Sequence, residues 1–109
     1  MICRIWRGWA TVPNASVYEE LLRLTVIPGI EARAIPGFRN IDLIRSDLGD
    51  EIECATIMWF DDLAAVTTFV GEDYEIAHVP APARAVLSRF DERAVHYDVF
   101  GGQEQASRL

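Results

Sequence analysis

Glu51-Ile52-Glu53-Cys54-Ala55-Thr56-Ile57-Met58-Trp59-Phe60 decides the architecture. From Cys54 onward both alternating sets are rich in apolar side chains, Ala55, Ile57 and Trp59 against Cys54, Thr56, Met58 and Phe60. A strand with one wet face alternates apolar with polar, so this one is covered on both faces. Just before it, Asp47-Leu48-Gly49-Asp50 has the composition of a tight hairpin connection. On the far side of that turn, Phe38 to Ser46 alternates Arg39, Ile41, Leu43 and Arg45 with Asn40, Asp42 and Ile44. It is the most polar strand and therefore the edge of the sheet.

Toward the N-terminus, Ile2 to Ala10 reads as the first strand. Ser16 and Glu19 have capping-box spacing, and Val17, Leu21 and Leu24 recur at helical intervals with Glu19, Glu20 and Arg23 opposite. Pro28-Gly29 is expected to end or kink that helix, with a short turn through Ile30 and Ala34 and a break at Pro36-Gly37. Toward the C-terminus, Asp61 or Asp62 caps a second helix, Leu63 to Val70, which Gly71 ends. Residues 71–82 are irregular. Pro82 suits the first turn of a third short helix through Leu87 and Phe90, and Ala94 to Phe100 is the last strand. Residues 101–109 read as a disordered tail. Residues 1–100 thus form a single domain without repeats.

Strand, helix, strand, hairpin, strand, helix, strand is the α+β, ferredoxin-like βαββαβ pattern. Right-handed crossovers give an antiparallel sheet in the order 4-1-3-2 with the helices on one face. The other face is not polar. Cys3, Ile5 and Trp9 alternate with Ile2, Trp6 and Ala10, and Val95, Tyr97 and Val99 alternate with Ala94, His96 and Phe100. A second copy of the chain, burying about 1,200–2,000 Å² sheet against sheet, is the expected cover.

The net charge of −7, with ten Arg and no Lys spread along the chain, excludes a nucleic-acid binder, which needs a concentrated basic face. Apolar runs such as Ala55 to Phe60 fall far short of the roughly 20 residues that span a bilayer. Met1 leads straight into strand-like sequence rather than a leader, so a cytoplasmic location is expected, with Cys3 and Cys54 as free thiols. No metal-ligand spacing, Gly-rich phosphate loop or Gly-x-Ser-x-Gly elbow is present.

Ile2-Cys3-Arg4-Ile5-Trp6-Arg7-Gly8, Pro36-Gly37-Phe38-Arg39, Phe69-Val70-Gly71-Glu72-Asp73-Tyr74-Glu75 and His96-Tyr97-Asp98-Val99 together resemble the dimeric α+β-barrel superfamily, within it the antibiotic-biosynthesis-monooxygenase-like domains. The resemblance runs from Ile2 to Phe100 and implies a homodimer with a small-molecule pocket between sheet and helices. It also implies monooxygenase-like chemistry on a planar aromatic or polyketide-type metabolite, without a cofactor. An isomerase or cyclase, or a binding or assembly dimer without catalysis, is compatible with the same scaffold.

That pocket directs attention to His78, in the irregular segment, as a general base, with a surface or capping histidine as the alternative. Trp6, Trp59, Tyr74, His96 and Arg4 are the candidate substrate-binding residues. Trp6 shares a strand side with Arg4 and Gly8, where a missing side chain leaves room beside a large flat ring. Each has a structural alternative: core packing for the tryptophans, a loop tie for Tyr74, an interior hydrogen bond for His96, an ion pair with Asp98 for Arg4. The haem-degrading branch resembles a set of Asn on the first strand, Trp and His. Trp59 and His78 would stand for the last two, but the first strand lacks the Asn, so haem is not expected.

Overall fold

Three ten-residue strands carry the fold: β1 (Ile2–Thr11), β2 (Phe38–Asp47) and β3 (Glu51–Phe60). The computed structural model describes residues 1–102, so the expected tail, Gly101 and Gly102 apart, lies outside the described residues. β1 and β3 pair in unbroken antiparallel register from Ile2 opposite Phe60 to Thr11 opposite Glu51. β2 pairs with the other side of β3, slipping register between Phe38 and Asn40. The hairpin closes where the Leu48 N–H donates to the Glu51 carbonyl at 2.9 Å.

The outer strand beside β1 comes in two pieces, β4 (Arg89–Phe90) opposite Gly8 and Trp9, and β5 (Val95–Asp98) opposite Ile2 to Ile5. The sheet order is the expected 4-1-3-2 with its last strand broken. Residues between the pieces are stitched to the irregular segment, Ala77 N–H to Glu92 carbonyl at 2.9 Å and Ala94 N–H to Glu75 carbonyl at 2.7 Å. The third helix, here α4 (Ala81–Val86), has its proline in the first turn but does not reach Phe90. Leu87 turns extended, and Ser88 donates to the Trp9 carbonyl at 2.7 Å. The edge of β1 has backbone groups to satisfy there, and strand pairing prevails over another helical turn.

The first helix departs most from the sequence reading. α1 (Val12–Leu21) starts four residues before Ser16, capped by Thr11, whose Oγ1 accepts from Asn14 N–H at 3.3 Å. Pro13 fits the first turn because its missing N–H would have had no helical partner. Pro28 does not end the helix. A π-helical turn over Leu22–Val26 leads directly into α2 (Ile27–Ala32). The Ile27 N–H reaches back to the Leu22 carbonyl, five residues away, so the ladder is already loosened where Pro28 would clash. The buried stripe is Ala15, Tyr18 and Leu22, whereas Val17 and Leu24 are 50% and 73% exposed. Of the predicted apolar face, Val17 and Leu24 point to solvent, and Leu21 alone, partly buried, packs against the core.

The second helix, α3 (Leu63–Val70), is capped as predicted, with Asp62 Oδ1 accepting from Ala65 N–H at 2.9 Å and Gly71 ending it. Gly37 sits at φ +85°, and a Cβ there would lie 2.9 Å from that of Ala65. The turn into β2 can therefore lean on α3 only through glycine. No described helix is long and apolar enough to cross a membrane.

All helices cover the sheet face bearing Arg4, Trp6 and Gly8 and their neighbours Met58, Thr56 and Cys54. Two half-cores form there. One joins Ala10, Ala15, Tyr18, Leu22, Ile52 and Leu87, the other Met58, Phe60, Ala65 and Val66. Across the sheet, Ile44, Val95 and Tyr97 are about half exposed and Ile5, Ile57 and Trp59 partly so, with no described element over them. Cys3 and Cys54 are free, and the strand register puts them on opposite faces.

Candidate functional site

The seam between the half-cores is a cavity of about 630 Å³ of empty space, open mouth included. Its walls are mainly apolar: Trp6, Leu22, Val26, Met58 and Phe69 among them. A concave, largely apolar hollow with a few polar groups is the usual form of a small-molecule site. The π turn matters here, because Leu22 and Val26 come from it and Ile30 from α2 just beyond.

Trp6 is a wall as the sequence suggested, though glycine acts differently from the expectation. A Cβ on Gly8 would meet the Trp6 ring at 3.1 Å and Leu87 at 3.2 Å, so the missing side chain accommodates the indole and leucine rather than a ligand. The indole N–H donates to the Asp91 carbonyl at 2.6 Å and the ring packs near Phe90, centroids 6.0 Å apart. Its orientation is fixed before any ligand arrives.

Arg4 is on the cavity wall and only 5% exposed. Its Nη1 donates to the Tyr74 carbonyl and lies 3.0 Å from His96 Nε2. Arg is a donor only, so Nε2 accepts and the His96 proton sits on Nδ1. Burial pulls the Arg4 guanidinium down to about 10, which still leaves it charged at neutral pH. The expected ion pair with Asp98 is not formed.

His96 and Tyr74 thus serve the site from behind. Neither lines the cavity; the Tyr74 ring stands edge-on to His96 at 5.1 Å, and its carbonyl holds Arg4. His78 lines the mouth and is exposed to solvent. Trp59 is not at the site. It pairs with Cys3 on the opposite sheet face, its Nε1 donating to Asp42 Oδ2 at 3.0 Å. The period-2 alternation of β3 already separated Trp59 from Met58 and Thr56, but not which set would face the helices. For the same reason, Trp59 and His78 cannot face one haem from a common side, and the first strand supplies no Asn, so the haem-degrading residue set does not fit here.

Tyr18 is a wall residue the sequence reading missed. It is 3% exposed, and burial pushes its phenol above the ordinary tyrosine range. The Ala15-Tyr18-Leu22 spacing was the available signal. Among the described residues no three His, Cys, Asp or Glu side chains converge as metal ligands.

His96 is pulled below the ordinary histidine value, first by burial, then by the Arg4 charge, with Glu75 opposing. Such a group makes the folded state bind fewer protons than the unfolded chain. Its contribution is complete above the unfolded value near 6.5 and drains away as pH falls toward the folded one. Thermal melts between pH 7.5 and 4.5 are expected to fall more steeply below about pH 6.5 for the native protein than for His96→Gln. Parallel curves would contradict that coupling.

No family model matches the sequence, and no curated protein does. Solved structures do match. A proposed antibiotic biosynthesis monooxygenase from Bacillus cereus superposes with a TM-score of 0.64 at 11% identity, covering 94% of this chain and 96% of the other. Rv0793 from Mycobacterium tuberculosis gives 0.56 at 20% identity, covering 95% and 97%. The chain has their fold. It is a ferredoxin-like α+β fold, shared with both over the whole domain. At these identities the likeness extends to the scaffold, and the residues of the cavity have to speak for its chemistry.

Proposed function

We propose that this protein is a cofactor-independent, monooxygenase-like enzyme that works as a homodimer on a planar aromatic or polyketide-type metabolite. The observation that carries this reading is the convergence of Trp6, Arg4 and His78 on one mainly apolar cavity. The indole offers a fixed flat wall, the guanidinium a fixed positive charge, and the histidine a base at the mouth.

The chemistry follows from those parts. His78 takes a proton from an enolisable or phenolic substrate, and the resulting anion is an electron donor to O₂. Where a ring CH₂ becomes a carbonyl, the substrate gives up four electrons and O₂ accepts four. One oxygen atom ends in the product and the other leaves as water. The apolar walls keep bulk water from the anion. The likeness to a proposed monooxygenase from Bacillus cereus supports this choice among reactions. The open sheet face, with Ile44, Val95 and Tyr97 half exposed, supports the dimer.

Anthrone is a suitable first probe, since its enolate reacts with O₂ to give a quinone. Oxygen uptake is expected to exceed the spontaneous rate, with one O₂ consumed per anthraquinone formed. Anthrone that binds without accelerated uptake would favour a second reading, a small-molecule-binding dimer. That alternative has one observation behind it: no carboxylate is hydrogen-bonded to His78 to orient it, among the described residues.

A further inference from the structure

Among the described residues Arg4 is the one buried arginine, whereas Arg33 and Arg84, which donate to backbone carbonyls, are exposed. Arg7, Arg23, Arg39, Arg45, Arg89 and Arg93 each contact a carboxylate, and all are exposed. The chain has 17 acidic residues to draw on, yet its buried guanidinium has no carboxylate partner among the described residues. Its hydrogen bonds go to a backbone carbonyl and a neutral imidazole, both through Nη1. An ion taken out of water without a counter-charge is costly, and folds that keep one hold it for a purpose or pair it.

The remaining donors indicate where the missing charge would sit. Nε and Nη2 donate to no group among the described residues, while no sealed side-chain nitrogen or oxygen there lacks a partner. Those nitrogens must therefore open onto accessible space, and the space next to Arg4 is the cavity. Nε and Nη2 form the fork that grips two oxygens of one carboxylate, or a single oxyanion in bifurcated fashion. Phe69 adds an aromatic face 6.0 Å from the guanidinium carbon. Tyr74 and His96 fix Nη1, so the fork is aimed in advance of binding.

We propose that the cavity selects anionic ligands, a carboxylate, phenolate or enolate carried on a planar apolar body, and that Arg4 is the seat of that charge. This rests on the reading of the cavity as the ligand site and narrows it. During proton removal at the mouth, the same seat would hold the negative charge that develops on the substrate oxygen.

The test compares 2-naphthoate with 2-naphthamide, which share a body and differ in charge. Calorimetric titration at pH 8, above the ordinary histidine range, is expected to show naphthoate binding at least about tenfold tighter, as a desolvated charge-assisted pair implies. Arg4→Gln is expected to reduce the preference to less than about twofold. Because a variant at a buried position can fail to fold, the Arg4 Nε–H resonance of the native protein provides a second readout. It is expected to shift with naphthoate and to stay near its free position with naphthamide. Equal affinity for the two probes would overturn the anion seat while leaving the cavity as a ligand site. Persistence of the preference in folded Arg4→Gln would overturn the assignment to Arg4. If neither probe binds, both readings are overturned.

Discussion

Replacing His78 with alanine is expected to lower the rate of oxygen uptake with anthrone by roughly 10²–10⁴-fold, the usual worth of a positioned general base. The melting temperature should move by no more than about 2 °C, as for a surface change away from special features. Both halves follow from position. His78 lines the mouth of the cavity, where a substrate proton can reach it, and it is exposed. Its imidazole makes no hydrogen bond among the described residues, so little is lost on truncation. His78→Gln keeps the bulk and polarity but cannot accept the proton, and is expected to be as slow as the alanine variant. Unchanged turnover per folded molecule in either variant would remove His78 from the mechanism. It would leave Trp6 and Arg4 as a binding site.

The second large effect concerns the naked sheet face. Ile57 lies at the centre of the sheet on β3, on the side away from the helices, with Asp42 opposite it on β2. In a lone protomer Ile57→Arg puts a guanidinium into water beside that carboxylate, which the fold tolerates. In a sheet-to-sheet dimer the same charge is buried against apolar side chains, at a cost of about 3–5 kcal/mol if uncompensated. Two-fold symmetry introduces it twice. Association should weaken by at least about a hundredfold. Light scattering is expected to show about 25 kDa for the native protein, twice the 12.3 kDa chain, and a single protomer for the variant. Far-UV circular dichroism should be preserved. A native protein that runs as one chain at all concentrations would refute the dimer.

The parts of the fold set by short-range chemistry were legible in the residues. Gly71 and the Asp62 cap delimit α3, the 47–50 turn joins β2 to β3, and the apolar run of β3 placed it inside the sheet. Elements decided by tertiary contact were not. Thr11 rather than Ser16 caps α1, because the chain leaves β1 directly into the helix. Pro28 is carried through by a π turn that local propensity does not foresee. The register of that helix then decides that Tyr18 faces inward, and a stripe counted from Val17 misses it. At the site, Trp6, Arg4 and His78 were recognisable and do meet in the cavity. Trp59 was misplaced because both alternating sets of β3 are apolar, which hides the sidedness that a polar set would have revealed. His96 and Tyr74 hold Arg4 instead of lining the cavity, in keeping with their structural alternatives, an interior hydrogen bond and a loop tie.

The π turn has a consequence for how this scaffold can diversify. Each residue added to a helix rotates everything after it by about 100°, and one extra residue in the turn count is what a π turn supplies. Ile30 and the α2 wall owe their aim to it, while the strands beneath are indifferent to it. A relative lacking that single residue would present a different set of side chains to the same hollow, over an unaltered floor. The lining of the hollow can thus change through length alone, with no substitution in the strands beneath it.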